Sequence, residues 1–348
     1  MALIPLYLPG GGLGLFQQPE ELHSGGQSTD SGVNRMASTI QDLAYQAFGL
    51  HIHSAFPLPE LAAAEGTNLL GSVSVVRSEL AERWAAVPKV TDHLGVSDGE
   101  VLFRVPGTAI YCIHGGSVIE VCPEPQAEPD NVRLYILGSC MGVLLLQKRI
   151  LALHGSALAF GNGAYALVGR SGAGKSTLAS YFMEQGRLLV SDDVIPVMVP
   201  NGQPLAVPGY PQQKLWQQSL DYLGMNSSGY RPLFRRETKF AVPVPERFHG
   251  EPLPLRGVIE LDVKADGPVT LEPIRGMARF HTLFHHTYQK HIVDRIGIRD
   301  WHFGLLASFV NRLPMYRLTR PQQGFSAPEQ AALIEDMIRN TTEGEMSR

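Results

Sequence analysis

AYALVGRSGAGKST, residues 164–177, is an apolar run followed by a glycine-rich turn, a lysine and two hydroxyl residues. Residues 169–176 match the pattern G-x-x-x-x-G-K-[ST] in full. The apolar run predicts a buried strand, and residues 175–185 predict a helix. A turn between strand and helix can direct backbone N–H groups at phosphate oxygens, and the helix N-terminus adds partial positive charge. The segment therefore predicts a phosphate-binding loop in an α/β fold.

The lysine and the serine of this loop also predict which groups bind the phosphates and the metal ion. Lys175 can reach the β- and γ-phosphates of a nucleotide, and the Ser176 hydroxyl can bind the accompanying Mg²⁺. A chance match is expected in on the order of one percent of chains of this length. We expect ATP and Mg²⁺ as cofactors. The pattern itself does not distinguish ATP from GTP. The nucleotide-binding residues are expected to be Gly169, Arg170, Ser171, Gly172, Ala173, Gly174, Lys175, Ser176 and Thr177.

Two adjacent carboxylates follow the next predicted strand, residues 188–190. They are Asp192 and Asp193. Ligands of open α/β sheets bind at the carboxyl ends of strands, and a right-handed crossover can place this strand beside the phosphate-loop strand. One carboxylate could then accept a proton from an attacking hydroxyl while the other binds Mg²⁺. The competing interpretations are a loop cap, because Asp favours turns, and an ATPase that uses one acid for the metal.

A histidine upstream can be placed by strand register. If Gly161-Asn162-Gly163 is a hairpin turn that pairs Phe160 with Ala164, then His154 lies opposite Arg170. An imidazole there could touch phosphate or tune the acidic pair, because its charge changes near neutral pH. The alternative is a histidine that only packs and hydrogen-bonds.

The rest of the chain divides into three parts. Residues 1–40 are rich in Gly, Ser and Gln, which predicts a disordered tail. Residues 41–128 contain short alternating segments, including TAIYCIH and SVIEVC around a Gly-Gly turn, and predict a small β-rich domain. Residues 129–348 are expected to form the phosphate-loop domain. It begins with a helix over residues 130–148, has later strands at 258–262 and 269–274, and has helices at 275–290, 301–312 and 328–340.

The composition argues against several classes of protein. The chain has 29 basic and 33 acidic residues among 348, which is not the basic footprint of a nucleic-acid-binding protein. Its longest internal apolar stretch, residues 134–146, is too short to cross a bilayer, and the apolar start lacks the early basic region of a signal peptide. Three cysteines without metal-ligand spacing fit a reducing compartment. We expect a cytoplasmic protein without nucleic-acid or membrane partners, and leave a homo-oligomer open.

With these residues in view, the core resembles the HPr kinase/phosphorylase family, more closely its HPr kinase-related members. The matching residues keep the family's order and approximate spacing. They are His154-Gly155, the loop 169–176, Gly186-Arg187-Leu188 and Asp192-Asp193. A looser resemblance extends over residues 48–61, 208–216 and 253–262.

This resemblance implies an α/β kinase core of the type shared with phosphoenolpyruvate carboxykinase, and an ATP-dependent serine kinase activity. By position, it implies that Asp192 is the base, or the acid in a reverse phosphorylase reaction, and that His154 assists it. Together with Lys175 these are the expected catalytic residues. The expected metal ligands are Ser176 and Asp193.

The chain also departs from the family pattern. Thr177 stands where true HPr kinases often have an acid, and their Glu-x-Arg-Gly-x-Gly signature is absent after the acidic pair. HPr is therefore a doubtful substrate. Some relatives phosphorylate a serine of ribosomally made peptides, including lasso peptides, so the leading expectation is a peptide or protein with an acceptor serine. A small-molecule kinase acting on an amino acid, and a regulatory module that senses ATP without transfer, are the alternatives.

Additional cations are needed against the charge that develops on a transferred phosphoryl group. The segment 231–240, RPLFRRETKF, could be a loop that closes over ATP, although such charge runs are usually solvated. From it we keep Lys239 as a nucleotide-binding residue. Trp216 is interpreted as a core aromatic. The other basic candidates are Lys214, Arg235, Arg236 and His286.

Overall fold

The computed structural model describes residues 43–65, 68–233 and 236–346, so the predicted tail over residues 1–40 and the candidate Arg235 lie outside the described residues. The described chain is mixed α/β, with sheets of nine, seven and three strands. None of its described helices combines the length and apolar character needed to span a membrane.

The nine-stranded sheet is built from residues 43–123, the segment predicted to be β-rich. Alternation explains its buried face, since Ala109, Tyr111 and Ile113 of one strand lie in the main hydrophobic cluster, whereas Cys112 between them lies in a separate small cluster. Gly115 and Gly116 both have positive φ and make the predicted turn to the next strand. Its elements are β1 (Leu43–Ala47), β2 (Leu50–Ser54), β3 (Ala62–Ala63), β4 (Ser72–Arg77), α1 (Ala81–Ala86), β5 (Lys89–Thr91), β6 (Leu94–Ser97), β7 (Glu100–Val105), β8 (Ala109–His114) and β9 (Val118–Pro123).

The helix predicted over residues 130–148 is present, with a π-helical turn in its middle. It comprises α2 (Pro129–Tyr135), the π-turn Ile136–Cys140 and α3 (Met141–Gln147). Its apolar residues are buried in the same hydrophobic cluster as the nine-stranded sheet. The helix therefore completes the core of the β-rich segment, although it follows the predicted boundary between residues 128 and 129. The division into domains stays a prediction.

The remaining residues form the second and third sheets and their helices. The elements are β10 (Leu151–Phe160), β11 (Gly163–Gly169), α4 (Lys175–Glu184), β12 (Leu188–Met198), β13 (Leu205–Ala206), β14 (Gln212–Trp216), α5 (Gln217–Tyr222), β15 (Arg231–Leu233), β16 (Arg236–Pro243), β17 (Leu253–Lys264), β18 (Thr270–Pro273), α6 (Met277–His286), α7 (Lys290–Val293), α8 (Arg299–Val310), β19 (Met315–Pro321) and α9 (Ala327–Met346).

The seven-stranded sheet has the order β11-β10-β12-β13-β17-β19-β18, and β11 also pairs with β17. Its first five strands therefore close into a ring. The strand after the phosphate loop, β12, was predicted to lie beside β11, which is wrong. β10 lies between them and is antiparallel to both, so β11 and β12 run in the same direction one strand apart.

The register of the β10–β11 hairpin also differs from the prediction by one residue. Phe160 pairs with Gly163, and not with Ala164. The reason is that Gly161 has a positive φ, which allows a two-residue turn and leaves Gly163 in the strand. At the other end Gly155 pairs with Val168, so the predicted placement of His154 opposite Arg170 is wrong.

Two layers of helices cover this sheet, because neighbouring residues of a strand point to opposite faces. On one face Val168 packs in a cluster with Leu283 of α6 and Phe309 of α8. On the other, Leu167 packs in a cluster with Phe182 of α4 and Ile334 of α9. The glycine-rich loop therefore starts from a strand that is held on both sides.

Strand β19 was not predicted, yet it pairs with β17 on one side and β18 on the other. Its sequence MYRLTRP carries two arginines and ends in proline, which hides the apolar alternation. The predicted strands over 258–262 and 269–274 correspond to parts of β17 and β18, and the three predicted helices correspond to α6 with α7, α8 and α9.

Candidate active site at the glycine-rich loop

The glycine-rich loop joins the end of β11 to the start of α4, in the predicted strand–loop–helix order. Gly172 and Gly174 have φ of 82° and 102°, a region that favours glycine because it has no Cβ. A Cβ on Gly169 would lie 2.7 Å from the carbonyl oxygen of Leu261 in β17. The glycines are therefore required both by the turn and by the close approach of the neighbouring strand.

Two cations hold the carbonyl groups of this loop. Lys175 Nζ donates to Gly169 O at 2.8 Å and to Arg170 O at 3.2 Å. Arg320, from the carboxyl end of β19, donates through Nε to Ala173 O at 3.0 Å and through Nη2 to Gly172 O at 3.3 Å. Sequence reasoning missed Arg320, because its position depends on β19 running parallel to β17 and β17 parallel to β11.

The first carboxylate of the acidic pair is held by neutral donors. Asp192 Oδ1 accepts a hydrogen bond from Ser156 Oγ at 2.6 Å, and Oδ2 accepts from the backbone N–H of Lys214 at 2.9 Å. The residue is 7% exposed. Burial raises the pKa of Asp192, and the two hydrogen bonds offset only part of that effect. Ser156 was also missed by the sequence reasoning, although it lies two residues after His154.

The second carboxylate forms an ion pair. Asp193 Oδ2 lies 2.6 Å from Lys214 Nζ, and Asp193 has a φ of 69°. Burial alone would raise the pKa of Asp193, but Lys214, His154 and Lys239 together bring it well below its usual value. The neighbouring acids are thus pushed in opposite directions, an arrangement that separates acid and base roles in enzymes.

The strand around the pair is irregular. Residues 192 and 193 were predicted to lie at the end of a strand, but β12 continues to Met198. The β10–β12 ladder pairs Ala157 with Ser191 and Leu158 with Leu189, so Val190 is an extra, bulged residue just before the pair. Bulges of this kind re-aim the side chains that follow them.

His154 lies beside the acidic pair and not beside the variable residues of the loop. Its Nδ1 donates to the backbone oxygen of Asp193 at 3.0 Å, and the same nitrogen lies 3.5 Å from Asp193 Oδ1. Burial, with a smaller effect of Lys175, lowers the pKa of His154 to about 3. A lowered pKa favours the neutral imidazole near pH 7, which does not support the expectation that its charge changes there.

The predicted residues meet at one cavity of about 680 Å³, within the size range of small-molecule sites. Gly169, Arg170 and Ala173, although described, are not part of its lining. The predicted residues that line it are His154, Ser171, Gly172, Gly174, Lys175, Ser176, Thr177, Asp192, Asp193 and Lys239.

The three-stranded sheet, β14-β16-β15, adds further groups to this cavity. Lys214 and Trp216 come from β14 and Lys239 from β16, where Trp216 and Lys239 are paired across the ladder. The Lys239 ammonium lies 5.3 Å from the centre of the Trp216 ring. Trp216 is half-buried and lines the cavity, so its interpretation as a core aromatic is wrong.

The described side chains around the cavity offer few ligands for a metal ion. Among the described residues, no group of three or more His, Cys, Asp and Glu side chains could hold a metal ion. Mg²⁺ bound with a nucleotide needs fewer protein ligands, because water and phosphate oxygens complete its shell. The Ser176 hydroxyl and the carboxylates of Asp192 and Asp193 line the same cavity and are oxygen donors. They fit a Mg²⁺ ion that arrives with phosphates.

Comparisons with known proteins give little beyond this geometry. No family model matches the chain, and no curated protein matches it. Among solved structures, the Hpr(Ser) kinase/phosphatase from Coxiella burnetii is similar at 12% sequence identity and a TM-score of 0.32. The similarity covers 56% of this chain and 94% of that one. A likeness at this TM-score decides neither fold nor function.

Proposed function

We propose that the chain is an ATP-dependent kinase that transfers the γ-phosphoryl group to a hydroxyl, with the serine of a peptide or protein as acceptor. One observation carries the proposal. Asp192, a buried carboxylate with a raised pKa, lines the same cavity as Lys175 and Ser176 of the glycine-rich loop. A base and a phosphate-binding loop are two of the parts that phosphoryl transfer to an alcohol needs.

Binding of the triphosphate follows from the charges around the cavity. Among the described residues, those that line it include the cations Lys175, Lys214, Lys239 and Arg320 and two carboxylates. Burial lowers the pKa of Lys175, while Asp193 and Asp192 raise it in part. Phosphate oxygens would take the place of the loop carbonyls at Lys175 Nζ, and the start of α4 adds partial positive charge.

The chemical step is a direct transfer. The acceptor oxygen forms a bond to the γ-phosphorus while the bond from that phosphorus to the bridging oxygen breaks, which leaves ADP. The hydroxyl proton goes to Asp192, whose raised pKa makes it a stronger base than an ordinary aspartate. Mg²⁺, held by Ser176 and Asp193, would supply positive charge against the phosphate oxygens.

The remaining groups keep this base in place. Ser156 and the backbone N–H of Lys214 fix both oxygens of Asp192. Neutral His154 donates to the backbone oxygen of Asp193 and so holds the left-handed conformation of that residue. His154 is thereby a positioning residue, in support of the assisting role that the family resemblance implies.

The acceptor class is tested by incubating the full chain with γ-labelled ATP and Mg²⁺. Serine-containing peptides, free amino acids and buffer alone are compared. Label on a peptide serine supports the proposal, and label only on an amino acid would assign a small-molecule kinase. Stoichiometric nucleotide binding with no acceptor labelled would assign the site to nucleotide sensing, the alternative from a different class.

A further inference from the structure

An aromatic surface lies in the wall of the phosphate cavity. Tyr222, at the end of α5, and Phe325, between β19 and α9, stack with ring centres 5.0 Å apart and an interplanar angle of 23°. Both line the cavity that the glycine-rich loop also lines. Tyr222 is 48% exposed and Phe325 is half-buried, so part of this aromatic surface remains accessible. The kinase mechanism above uses neither residue.

Both rings are tied to the phosphate loop. The Thr177 hydroxyl, in the first turn of α4, lies 2.7 Å from that of Ser219. Tyr222 follows Ser219 by three residues in α5, and such pairs have Cβ atoms about 5–6 Å apart on one helix face. Phe325 follows Arg320, which donates to the carbonyl oxygens of the loop. The aromatic surface therefore lies on the side of the cavity where α5 meets the first turn of α4.

An unpartnered amide oxygen provides a second, independent observation. Gln330, in α9, lines the same cavity and is 4% exposed. Its Nε2 donates to Ser326 Oγ at 3.0 Å, whereas its Oε1 has no hydrogen-bond partner among the described residues. Buried polar atoms without partners are uncommon in proteins and indicate an absent ligand or water. An amide oxygen accepts from an N–H or an O–H group, so an amine of a ligand could fill this position.

We propose that Tyr222, Phe325 and Gln330 form the subsite for the nucleobase of ATP. The adenine ring stacks on the aromatic surface, and its exocyclic amine donates to Gln330 Oε1. Guanine has a carbonyl oxygen where adenine has this amine, so it would face Gln330 with an acceptor. The subsite therefore selects adenine over guanine. This inference rests on the proposed function, because it requires the phosphates to lie in the glycine-rich loop.

The test is calorimetric titration of the full chain with ATP, GTP and inorganic triphosphate. Base stacking on an aromatic side chain is expected to contribute about tenfold or more to affinity. Tyr222→Ala and Phe325→Ala should each weaken ATP binding by about tenfold and leave triphosphate binding unchanged, while Tyr222→Phe should bind ATP as the parent does. Gln330→Met should reduce the preference for ATP over GTP. The matched control is Phe303→Ala, because Phe303 is 58% exposed on α8 and outside the cavity lining.

The outcomes separate this inference from the proposed function. Equal affinity for ATP and triphosphate in the parent, or preference for GTP, would overturn the adenine subsite alone. So would aromatic variants that keep ATP affinity but raise KM for a peptide acceptor, since the surface would then hold the acceptor. A parent chain that binds neither ATP nor triphosphate would overturn the proposed function itself. Thermal melting of Tyr222→Ala, whose ring is half exposed, checks that the chain is folded.

Discussion

Lys214 Nζ lies 2.6 Å from Asp193 Oδ2, and these side chains are only 4% and 6% exposed. The same residue donates its backbone N–H to Asp192. Lys214 thus contacts both acids: its charged ammonium pairs with Asp193, and its neutral backbone N–H binds Asp192. Because only Asp193 is paired with the ammonium, its pKa is lowered while burial raises that of Asp192. The pairing therefore leaves Asp192 as the acid better suited to accept a proton.

Asp192→Asn should abolish transfer while keeping nucleotide binding. The amide has the same shape but cannot take the acceptor proton, so the transfer rate should fall by about 10² to 10⁴-fold. The measurement is label transfer from ATP, with ATP affinity measured in parallel. Asp262→Asn is the control, because Asp262 is exposed on β17 and outside the cavity lining. Undiminished transfer by the Asp192 variant would remove the assigned base.

Ser156→Ala should shift the pH dependence of transfer. The Ser156 hydroxyl stabilises the charged form of Asp192, so its removal raises the pKa of Asp192 further. The rising limb of kcat/KM against pH should then move to higher pH. Transfer by the variant should recover toward the parent rate once pH is raised. A rate loss that is the same at every pH would indicate a purely structural role for Ser156.

Lys214→Met should destabilise the protein. Removal of one partner leaves Asp193 charged and buried, which typically costs about 3–5 kcal/mol of unfolding free energy. Urea denaturation measures the change. The double variant Lys214→Met with Asp193→Asn removes both charges and should regain much of the loss. If Lys214→Met alone unfolds at the parent's urea concentration, the buried ion pair is not important to stability.

His154 should make stability fall as the pH is lowered. Its pKa is about 3 in the folded chain against 6.5 for an ordinary histidine. The unfolded chain therefore binds a proton below about pH 6.5 that the folded chain does not. The contribution of neutral His154 to the free energy of unfolding is fully present above about pH 6.5. It is lost progressively as the pH falls toward 3, by about 4 kcal/mol. Denaturation across this range in EDTA measures the loss.

The control for this prediction is His154→Asn, whose amide can still donate to Asp193 O but does not titrate. Its stability should depend less on pH between about 6.5 and 3. Parallel curves for the two proteins over that window would show that His154 is not responsible.

Arg320→Met should weaken binding of the triphosphate by about tenfold, because the loop loses two hydrogen bonds from a charged donor. Arg320→Lys should recover only part of the affinity, since an ammonium lacks the planar fork that reaches two carbonyl groups. Arg312→Met is the matched control, because Arg312 donates to a backbone carbonyl far from the loop in sequence. Unchanged triphosphate affinity in Arg320→Met would show that the hydrogen bonds from Arg320 to the loop carbonyls do not contribute to binding.

Local patterns predicted the parts of the site that depend on neighbouring residues. The order of strand, glycine-rich turn and helix around Lys175 was predicted, since turn residues and apolar periodicity act over a few positions. The acidic pair was chosen in the same way, and it lines the expected cavity. The predicted register of the β10–β11 hairpin was wrong by one residue, because the register depends on the number of residues in the turn.

Long-range pairing decided the rest. Strand β19, which brings Arg320 to the loop, follows the loop by well over a hundred residues and has no clear apolar alternation. Gln330 and the Tyr222–Phe325 surface likewise come from distant segments that meet only around the cavity.

The sequence by itself determined the glycine-rich turn, the lysine and serine that follow it, and the two adjacent acids, because each of these is a local arrangement of a few residues. Only the tertiary structure decided which acid pairs with Lys214 and which is left with neutral donors. The physical reason is that charge and burial act through space: β14 reaches the acidic pair only when the third sheet folds onto β12, and no local pattern records that contact.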